Sequence, residues 1–216
     1  MEADELVFLN PYREIEKTAN KLPHWQQPGA CYFITFGLAD AVPVALREKW
    51  DMERERWLLV HPQPWSLRDE LEYHECFSRQ TERWLDAGHG ECLLREFGMR
   101  RVMAECLRHF EGRRYSHHAW VIMPNHVHVL VTIHDGHALE TVMHTWKSFT
   151  AHQINQRLGR TGKLWQEDYF DRLIRDAEHF ANCARYIARN PEKAGLSAGE
   201  FTLHETELAK RWRSRR

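Results

Sequence analysis

Hydrophobic residues recur at changing intervals along the chain, and these intervals predict a protein of mixed strands and helices. Residues 30–37 are dense in aromatic and β-branched side chains, which is typical of a strand. Residues 1–29 lack such a pattern, so we expect irregular or weakly helical structure there. From 43 to 112 apolar residues recur every three or four positions, which predicts three helices separated near 61–64 and 88–90.

The second half of the chain continues this mixture. Two apolar runs, 114–123 and 125–133, predict either two strands joined at Pro124 or one strand with a break there. A stripe of apolar side chains then predicts a long helix that ends near Gly159. Residues 164–170 predict a further strand after that helix.

A last helix is predicted from Asp176, whose carboxylate can cap free amide groups, to Asn190, because the following Pro191 disfavours continuation. Tyr186 and Asn190 lie four residues apart and therefore share one strip of this helix. The amide oxygen of Asn190 is a ligand that hard divalent cations accept. The simpler interpretation is that Tyr186 packs with its hydroxyl in water and that Asn190 caps the helix end.

Two histidines flank one valine inside the second of the two apolar runs. Because side chains alternate along a strand, His126 and His128 point the same way, roughly 6.5 to 7 Å apart along the chain, while Val127 points into the core. Two neutral imidazoles on one face can share a metal ion. The alternative is one solvent-exposed histidine and one hydrogen-bonded histidine at a sheet edge.

Length and composition limit the class of protein. A chain of 216 residues suits one domain, 1–216, with a helical insertion over residues 43–112. No apolar stretch approaches the roughly 20 residues that cross a bilayer, and the N-terminus is acidic, so we expect a soluble protein inside the cell. Five widely spaced cysteines favour neither a disulfide framework nor a zinc finger.

Charge is unevenly distributed, although the net charge is only −1. Residues 1–140 hold 16 basic and 22 acidic residues, whereas residues 141–216 hold 14 basic and 9 acidic ones. The basic surplus therefore follows the histidine pair, and it is either a surface for a polyanion or a solvated face. Residues 43–112 carry a net charge of −3, which argues against direct contact with DNA there.

Four short motifs occur in an order that resembles a known family. They are Met-Pro-Asn-His-Val-His at 123–128, Trp-Lys-Ser-Phe at 146–149, Trp-Gln at 165–166 with Tyr-Phe-Asp at 169–171, and Tyr-Ile-x-x-Asn-Pro at 186–191 with Lys-Ala-Gly-Leu at 193–196. Together the motifs resemble those of the REP-associated tyrosine transposases, which belong to the single-tyrosine HUH transposases of bacterial insertion sequences. The resemblance covers residues 30–38 and 113–196.

The resemblance implies an α+β fold: a ferredoxin-like antiparallel sheet with helices on one face, to which this chain adds the helical insertion. It implies that His126 and His128 hold a divalent metal, Mg²⁺ or Mn²⁺, and that Asn190 occupies the place of a third ligand, which is often Gln in related enzymes. It also identifies Tyr186 as the nucleophile. Tyr169 is a rival nucleophile, but no amide follows it at four residues.

The activity implied by the resemblance is transposase chemistry on DNA. The tyrosine attacks a phosphodiester of single-stranded DNA near a hairpin, such as a repetitive extragenic palindrome, and a 5′-phosphotyrosine link and a free 3′-hydroxyl result. Cleavage and rejoining of this kind imply endonuclease and ligase activities. We therefore expect a protein of the bacterial cytoplasm that associates with the nucleoid as a monomer or homodimer and not with a membrane.

Basic residues of the second half are candidates for contact with the DNA backbone. The candidates are Lys147, Arg157, Arg160, Lys163, Arg172 and Arg175. Residues 210–216 are also basic, and we expect them to form a frayed tail.

Two other functions are compatible with these residues. A cupin-like oxygenase also uses His-x-His on a strand, but it needs a further histidine and a carboxylate on neighbouring strands. A domesticated protein of the same fold binds hairpin DNA without cutting it, and the sequence alone does not separate this function from catalysis.

Overall fold

A five-stranded antiparallel sheet lies at the centre of the structure, a computed structural model that describes residues 6–10, 12, 16–19, 23–62 and 65–214. The strands are β1 (Glu16–Ala19), β2 (Pro23–Gln26), β3 (Cys31–Gly37), β4 (Tyr115–Ile122), β5 (His126–Ile133), β6 (Phe170–Leu173) and β7 (Thr202–Glu205). Across the sheet the order is β6-β3-β5-β4-β7, and β1 and β2 form a separate hairpin. The strand that carries the histidine pair is therefore the central one.

Helices connect and cover the strands. They are α1 (Val44–Val60), α2 (Leu67–Tyr73), α3 (Arg79–Asp86), α4 (Phe97–His109), α5 (Leu139–Arg157), α6 (Ala177–Lys193) and α7 (Glu207–Arg213). Apart from the α1–α3 segment (residues 44–86), the elements from β3 to β6 follow the β-α-β-β-α-β order of ferredoxin-like domains. No helix in the described part of the chain is both long enough and apolar enough to cross a membrane.

The two faces of the sheet pack against different helices. On one face, Val129 of β5 shares a core with Met103 of α4 and Trp146 of α5. On the other face, Leu130 of β5 shares a core with Ile187 of α6. The α+β class and the antiparallel sheet are thus confirmed, but helices cover both faces instead of the one that was predicted, because α6 and α7 pack on the side of the histidines.

The α1–α3 segment has a small aromatic core of its own and docks at the β6 edge of the sheet. Trp50 and Phe77 are buried in this core, and the Trp50 ring meets Phe170 of β6 edge-on at a centroid distance of 5.9 Å. At the start of α2 the N–H of Asp69 donates to the Ser66 hydroxyl, and the N–H of Ser66 donates to the Asp69 carboxylate. The helices predicted between 43 and 112 are confirmed.

Two predictions of local structure were wrong. Within residues 1–29, the structure describes the β1–β2 hairpin where we expected irregular or weakly helical chain, because strands of four residues are too short to show alternation. The strand expected over 164–170 is confined to β6, and Trp165 makes only an isolated bridge to Leu38. The apolar residues of this stretch pack into the core from a loop.

The last long helix begins as predicted but ends later. The carboxylate of Asp176 accepts the N–H of His179 at 2.7 Å and caps α6. The helix continues past Pro191 to Lys193, and the N–H of Ala194 still donates to the carbonyl of Asn190 at 3.0 Å. Proline lacks the N–H that would donate to the Ile187 carbonyl, but the residues after it keep their N–H groups, so the helix extends two residues beyond it.

The basic tail expected over residues 210–216 is largely helical. Residues 210–213 belong to α7, and the indole of Trp212 is buried in the core beneath α6. The expectation of a frayed tail was therefore wrong for these residues, because the tryptophan anchors the helix. Residues 215–216 lie outside the described part of the chain.

Candidate active site

The paired histidines converge on the face of β5 that α6 covers. Both are buried, and their Nε2 atoms lie 3.0 Å apart. Burial lowers the pKa of His126 to about 3 and holds that of His128 well below its usual value, and the charge of Lys193 adds to both effects. Both imidazoles are therefore neutral at pH 7, which is the state in which histidine binds metals.

Asn125 determines which nitrogen of His126 carries the proton. Its Nδ2 donates to the carbonyl of His89 at 3.1 Å, so its Oδ1 faces Nδ1 of His126 at 2.8 Å. An amide oxygen can only accept a hydrogen bond, so the proton of the neutral ring lies on Nδ1. The Nε2 lone pair of His126 is consequently left to point at the space between the two rings.

Thr35 and Phe33 of β3 hold the second histidine. The Thr35 hydroxyl lies 2.8 Å from Nδ1 of His128, because these two residues are partners in the β3–β5 ladder. The Phe33 ring stacks on the imidazole with centroids 5.6 Å apart. When the hydroxyl accepts from Nδ1, Nε2 of His128 is also free to bind a cation, and such outer hydrogen bonds are usual for metal-binding histidines.

Tyr186 of α6 lies against the same histidine. Its ring stands edge-on to those of His128 and Phe33, with centroid distances of 5.1 and 5.7 Å. The hydroxyl oxygen is buried and has no hydrogen-bond partner among the described residues. Burial, with the nearby carboxylates of Glu82 and Asp86, raises the pKa of Tyr186 above its ordinary value. The phenol is therefore protonated in this environment.

Asn190 lies one helical turn beyond Tyr186, at the histidine pair. Its Nδ2 is 3.4 Å from Nε2 of His128, and its Oδ1 is buried without a hydrogen-bond partner in the described structure. Because the two ends of an amide are related by a rotation of the side chain, a flip would turn Oδ1 toward the histidine. The structure thus brings all four residues expected at the metal and the nucleophile into one site: His126, His128, Tyr186 and Asn190.

The polar atoms around the pair fit a divalent cation. Bonds of about 2.1 Å at right angles put neighbouring ligand atoms about 3.0 Å apart, and the two Nε2 atoms are 3.0 Å apart. One carboxylate oxygen of Asp86 completes a group in which every ligand atom lies within 4.8 Å of the others. No sequence pattern pointed to Asp86, because it lies on α3, remote in sequence from the histidines. Thr35 was also missed, since its role depends on strand register.

One of the six basic candidates, Arg172, lies beside the histidines on the α6 side of the sheet. The Arg172 guanidinium lies over the Phe33 ring at 5.3 Å and pairs with Glu82 at 3.0 Å. Its charge contributes to the low pKa of His128, after burial and the neighbouring His126. Arg175 is exposed just before α6 and follows Ile174, whose N–H donates to the carbonyl of Cys31 at the other end of β3 from Thr35. Arg172 therefore borders the site, and Arg175 is remote from the histidines.

The other four candidates lie on α5 or in the loop that follows it, and α5 packs on the opposite face of the sheet. Burial lowers the pKa of one of them, Lys147, to about 8. Each has an internal partner. Lys147 donates to the carbonyl of Glu167 at 2.7 Å, and Arg157 donates to the carbonyl of Gly98 at 3.3 Å. Arg160 forms an ion pair with Glu91 at 2.9 Å, and Lys163 forms one with Glu167 at 3.5 Å.

Tyr169 lies on the opposite face of the sheet from Tyr186. It is buried in the core on the α4 and α5 face, together with Trp165. Burial raises the pKa of its hydroxyl, chiefly because the charged form would lose its contact with water. Tyr186 is therefore the tyrosine that the fold sets against His128.

Part of the chain is similar to a known protein family. The family model described as IS200-like transposase matches residues 96–190, which include both histidines and Tyr186. No curated protein matches the sequence. A solved structure of a REP-associated tyrosine transposase bound to a REP hairpin aligns with a TM-score of 0.48 and 15% identity, over 83% of this chain and 76% of that chain. The resemblance seen in the motifs is confirmed, and residues 96–190 of this chain match the IS200-like transposase family.

Proposed function

We propose that this protein is a metal-dependent transesterase of single-stranded DNA, in which Tyr186 is the nucleophile and His126 and His128 hold the metal. The observation that carries the proposal is the contact between the Tyr186 ring and His128, whose Nε2 converges with that of His126. A phenol beside two neutral, buried imidazoles is suited to attack on a metal-bound phosphodiester.

The reaction exchanges one phosphate ester for another. The Tyr186 hydroxyl loses its proton, its oxygen forms a bond to phosphorus, and the bond from phosphorus to the 3′ oxygen breaks. The 3′ oxygen takes up a proton, so the products are a 5′-phosphotyrosine and a free 3′-hydroxyl. Because the tyrosine ester conserves the phosphodiester bond energy, the reverse attack by a 3′-hydroxyl rejoins the strand.

A bound divalent cation would neutralise phosphate charge and stabilise the leaving oxygen. His126, His128 and, as the third ligand expected from the motifs, Asn190 would hold it. Asn125 and Thr35 keep the lone pairs of the two histidines directed at the same point. Mn²⁺ suits two nitrogen ligands at least as well as Mg²⁺, which prefers oxygen.

The substrate class follows from the family that the motifs resemble: single-stranded DNA next to a hairpin of the extragenic-palindrome type. Arg172 borders the site and would contact the phosphates nearest the scissile bond, and Arg175, exposed just before α6, would contact the DNA farther away. Lys147, Arg157, Arg160 and Lys163 would contact flanking DNA only by exchanging their internal partners. A protein of this kind would act at the bacterial nucleoid, as a monomer or as a homodimer.

A non-catalytic hairpin-binding protein is the second candidate function. The observation in its favour is that the Tyr186 hydroxyl is buried and that burial raises its pKa, which disfavours an active nucleophile.

A cupin-like oxygenase has less support. The carboxylate nearest the pair comes from a helix, and the potential metal-binding group found among the described residues contains no third histidine.

Formation of a covalent adduct separates the first two functions. End-labelled single-stranded hairpin DNA is incubated with Mn²⁺ and the parent protein, Tyr186→Phe or Tyr169→Phe, and the products are resolved on a denaturing gel. The proposal expects a slow-migrating protein–DNA band for the parent and Tyr169→Phe and none for Tyr186→Phe. Hairpin binding by the parent without any adduct would support the non-catalytic function.

A further inference from the structure

Asp86 brings a carboxylate from the α1–α3 segment to the histidine pair. Its Oδ1 is buried and has no hydrogen-bond partner among the described residues, and its Oδ2 accepts a charged hydrogen bond from Lys193 at 2.5 Å. Ligand atoms of Asp86, His126 and His128 all lie within 4.8 Å of one another. A buried carboxylate oxygen without a donor is costly unless a cation or a donor satisfies it.

We infer that Asp86 is a protein ligand of the divalent cation and that the α1–α3 segment serves to deliver it. This inference rests on the proposed function, since it concerns the same metal. Ligands at about 2.1 Å from one cation lie at most about 4.2 Å apart. Because the two imidazole nitrogens are 3.0 Å apart and so are adjacent ligands, the Asp86 oxygen, which lies within 4.8 Å of both, has to come within about 3.0 Å of at least one of them, a movement of up to about 2 Å.

The Asp86 carboxylate supplies a negative charge, which the other ligands lack. His126 and His128 are neutral, and the amide of Asn190 is neutral too, so without Asp86 the ligands would place no negative charge against a divalent cation. Hard cations such as Mg²⁺ and Mn²⁺ favour carboxylate oxygen. Asp86 thus raises the affinity for the metals that phosphoryl transfer uses and leaves coordination positions for phosphate oxygens.

The packing of α3 on the sheet fixes the position of this carboxylate. Leu85, the residue before Asp86, lies over Gly37, the β3 partner of His126 in the ladder. A Cβ at Gly37 would come within 2.9 Å of the Leu85 Cδ2 atom, so the absence of a side chain there permits the approach. Glu82, one turn earlier, pairs with Arg172 of β6 at 3.0 Å.

Lys193 competes with a metal for the same carboxylate. Its ammonium group contacts Asp86 directly and lies 5.8 Å from the Tyr186 ring centroid. A cation bound between Asp86 and the histidines would repel this ammonium and weaken its ion pair. Binding of the metal would therefore free Lys193, which is already more than half exposed, to meet the DNA phosphate at Tyr186.

Direct titration with Mn²⁺, followed by the electron paramagnetic resonance signal of the free ion, tests the role of Asp86 without any activity measurement. The proteins compared are the parent, His128→Ala, Asp86→Asn and Glu75→Gln. The last is a matched control, because it also removes one carboxylate charge from the α1–α3 segment, but at an exposed residue paired with Arg79. Thermal melting checks that each variant is folded.

The inference expects one tight site in the parent, no tight site in His128→Ala, and binding at least about tenfold weaker in Asp86→Asn. Glu75→Gln should stay within about threefold of the parent. If Asp86→Asn binds as the parent does while His128→Ala does not, the inference is overturned and the proposed function stands. If the folded parent binds no Mn²⁺, both are overturned.

Lys193→Met gives a second, oppositely directed test. Removal of the competing ammonium should tighten Mn²⁺ binding severalfold in the parent and should have little effect in the Asp86→Asn background. Equal effects of Lys193→Met in the two backgrounds would show that Lys193 acts through its general charge and not through Asp86, and would contradict the inference.

Discussion

The ring of Tyr186 stands edge-on to the ring of His128, with centroids 5.1 Å apart. This contact joins α6 to the central strand of the sheet, two elements that are separated in sequence by α5 and β6. It sets the phenol ring against the imidazole whose Nε2 atom faces that of His126. Substitution of the residues that position this contact should therefore change metal binding, DNA binding or stability in specific ways.

Asn125→Ala should weaken Mn²⁺ binding by about 10- to 100-fold, because the His126 ring then loses the acceptor that keeps its proton on Nδ1. The measurement is a Mn²⁺ titration of the folded variant. Asn182→Ala, on the exposed side of α6, is the control and should bind as the parent does. Unchanged affinity in Asn125→Ala would contradict the positioning role.

Gly37→Ala should lower the free energy of unfolding by about 1–3 kcal/mol, because the new Cβ meets Leu85. It should also weaken Mn²⁺ binding, since α3 is displaced from the histidines. Urea unfolding and Mn²⁺ titration measure the two effects. In a Leu85→Ala background the added Cβ has room, so the cost of Gly37→Ala should shrink. Full additivity of the two substitutions would refute a close contact between Leu85 and residue 37.

Arg172→Gln and Arg175→Gln should each weaken binding of hairpin DNA, because Arg172 borders the site and Arg175 is an exposed cation just before α6. The slope of log affinity against log salt should fall by about 0.7 for every phosphate of single-stranded DNA that is no longer neutralised. Fluorescence anisotropy at several salt concentrations measures both quantities. Arg101→Gln, an exposed cation of α4 paired with Glu105, serves as the control.

The double variant Arg160→Ala/Lys163→Ala should weaken DNA binding less than Arg172→Gln does, since Arg160 and Lys163 lie in the loop after α5, which packs on the opposite face of the sheet from the histidines. The same anisotropy titration measures both variants. A larger effect of the loop pair than of Arg172→Gln would show that the DNA runs along α5 instead.

Acid should destabilise the protein through His118, which lies under α6. Burial lowers its pKa from 6.5 to about 4, and its Nε2 lies 2.8 Å from the Thr132 hydroxyl. The unfolded chain binds more protons than the folded one between these two values, so stability falls as pH falls from 6.5 toward 4. For this histidine the loss between pH 7 and 5 is about 2 kcal/mol.

Urea unfolding of the parent and of His118→Gln at both pH values measures this contribution. The parent should lose about 2 kcal/mol more than the variant between pH 7 and 5. An equal loss in the two proteins would mean that folding does not lower the pKa of His118.

The sequence was sufficient for those parts of the site that depend on local periodicity. His126 and His128 share a face because strands alternate, and Tyr186 and Asn190 share a strip because four residues make about one helical turn. The motifs then linked the two pairs through a known family. The structure brings these residues together, and their chemical roles stay predictions.

The sequence did not predict those parts of the site whose positions depend on long-range packing. Asp86 reaches the histidines only because α3 docks over Gly37, and no local pattern encodes that contact. Likewise, Arg172 and Arg160 belong to the same basic half of the chain, but the sheet separates the elements that carry them. The extent of the insertion, predicted as 43–112, also depends on packing, since α4 shares the main core with α5.

The most direct test of the central claim is to identify the residue that becomes linked to DNA. Parent protein is incubated with Mn²⁺ and hairpin DNA, nuclease and trypsin are added, and the peptides are analysed by mass spectrometry. We predict that the nucleotide mass is carried by the peptide that contains Tyr186, between Arg185 and Arg189. A nucleotide on Tyr169 or on another residue would contradict this claim, as would the absence of any modified peptide from active, metal-loaded protein.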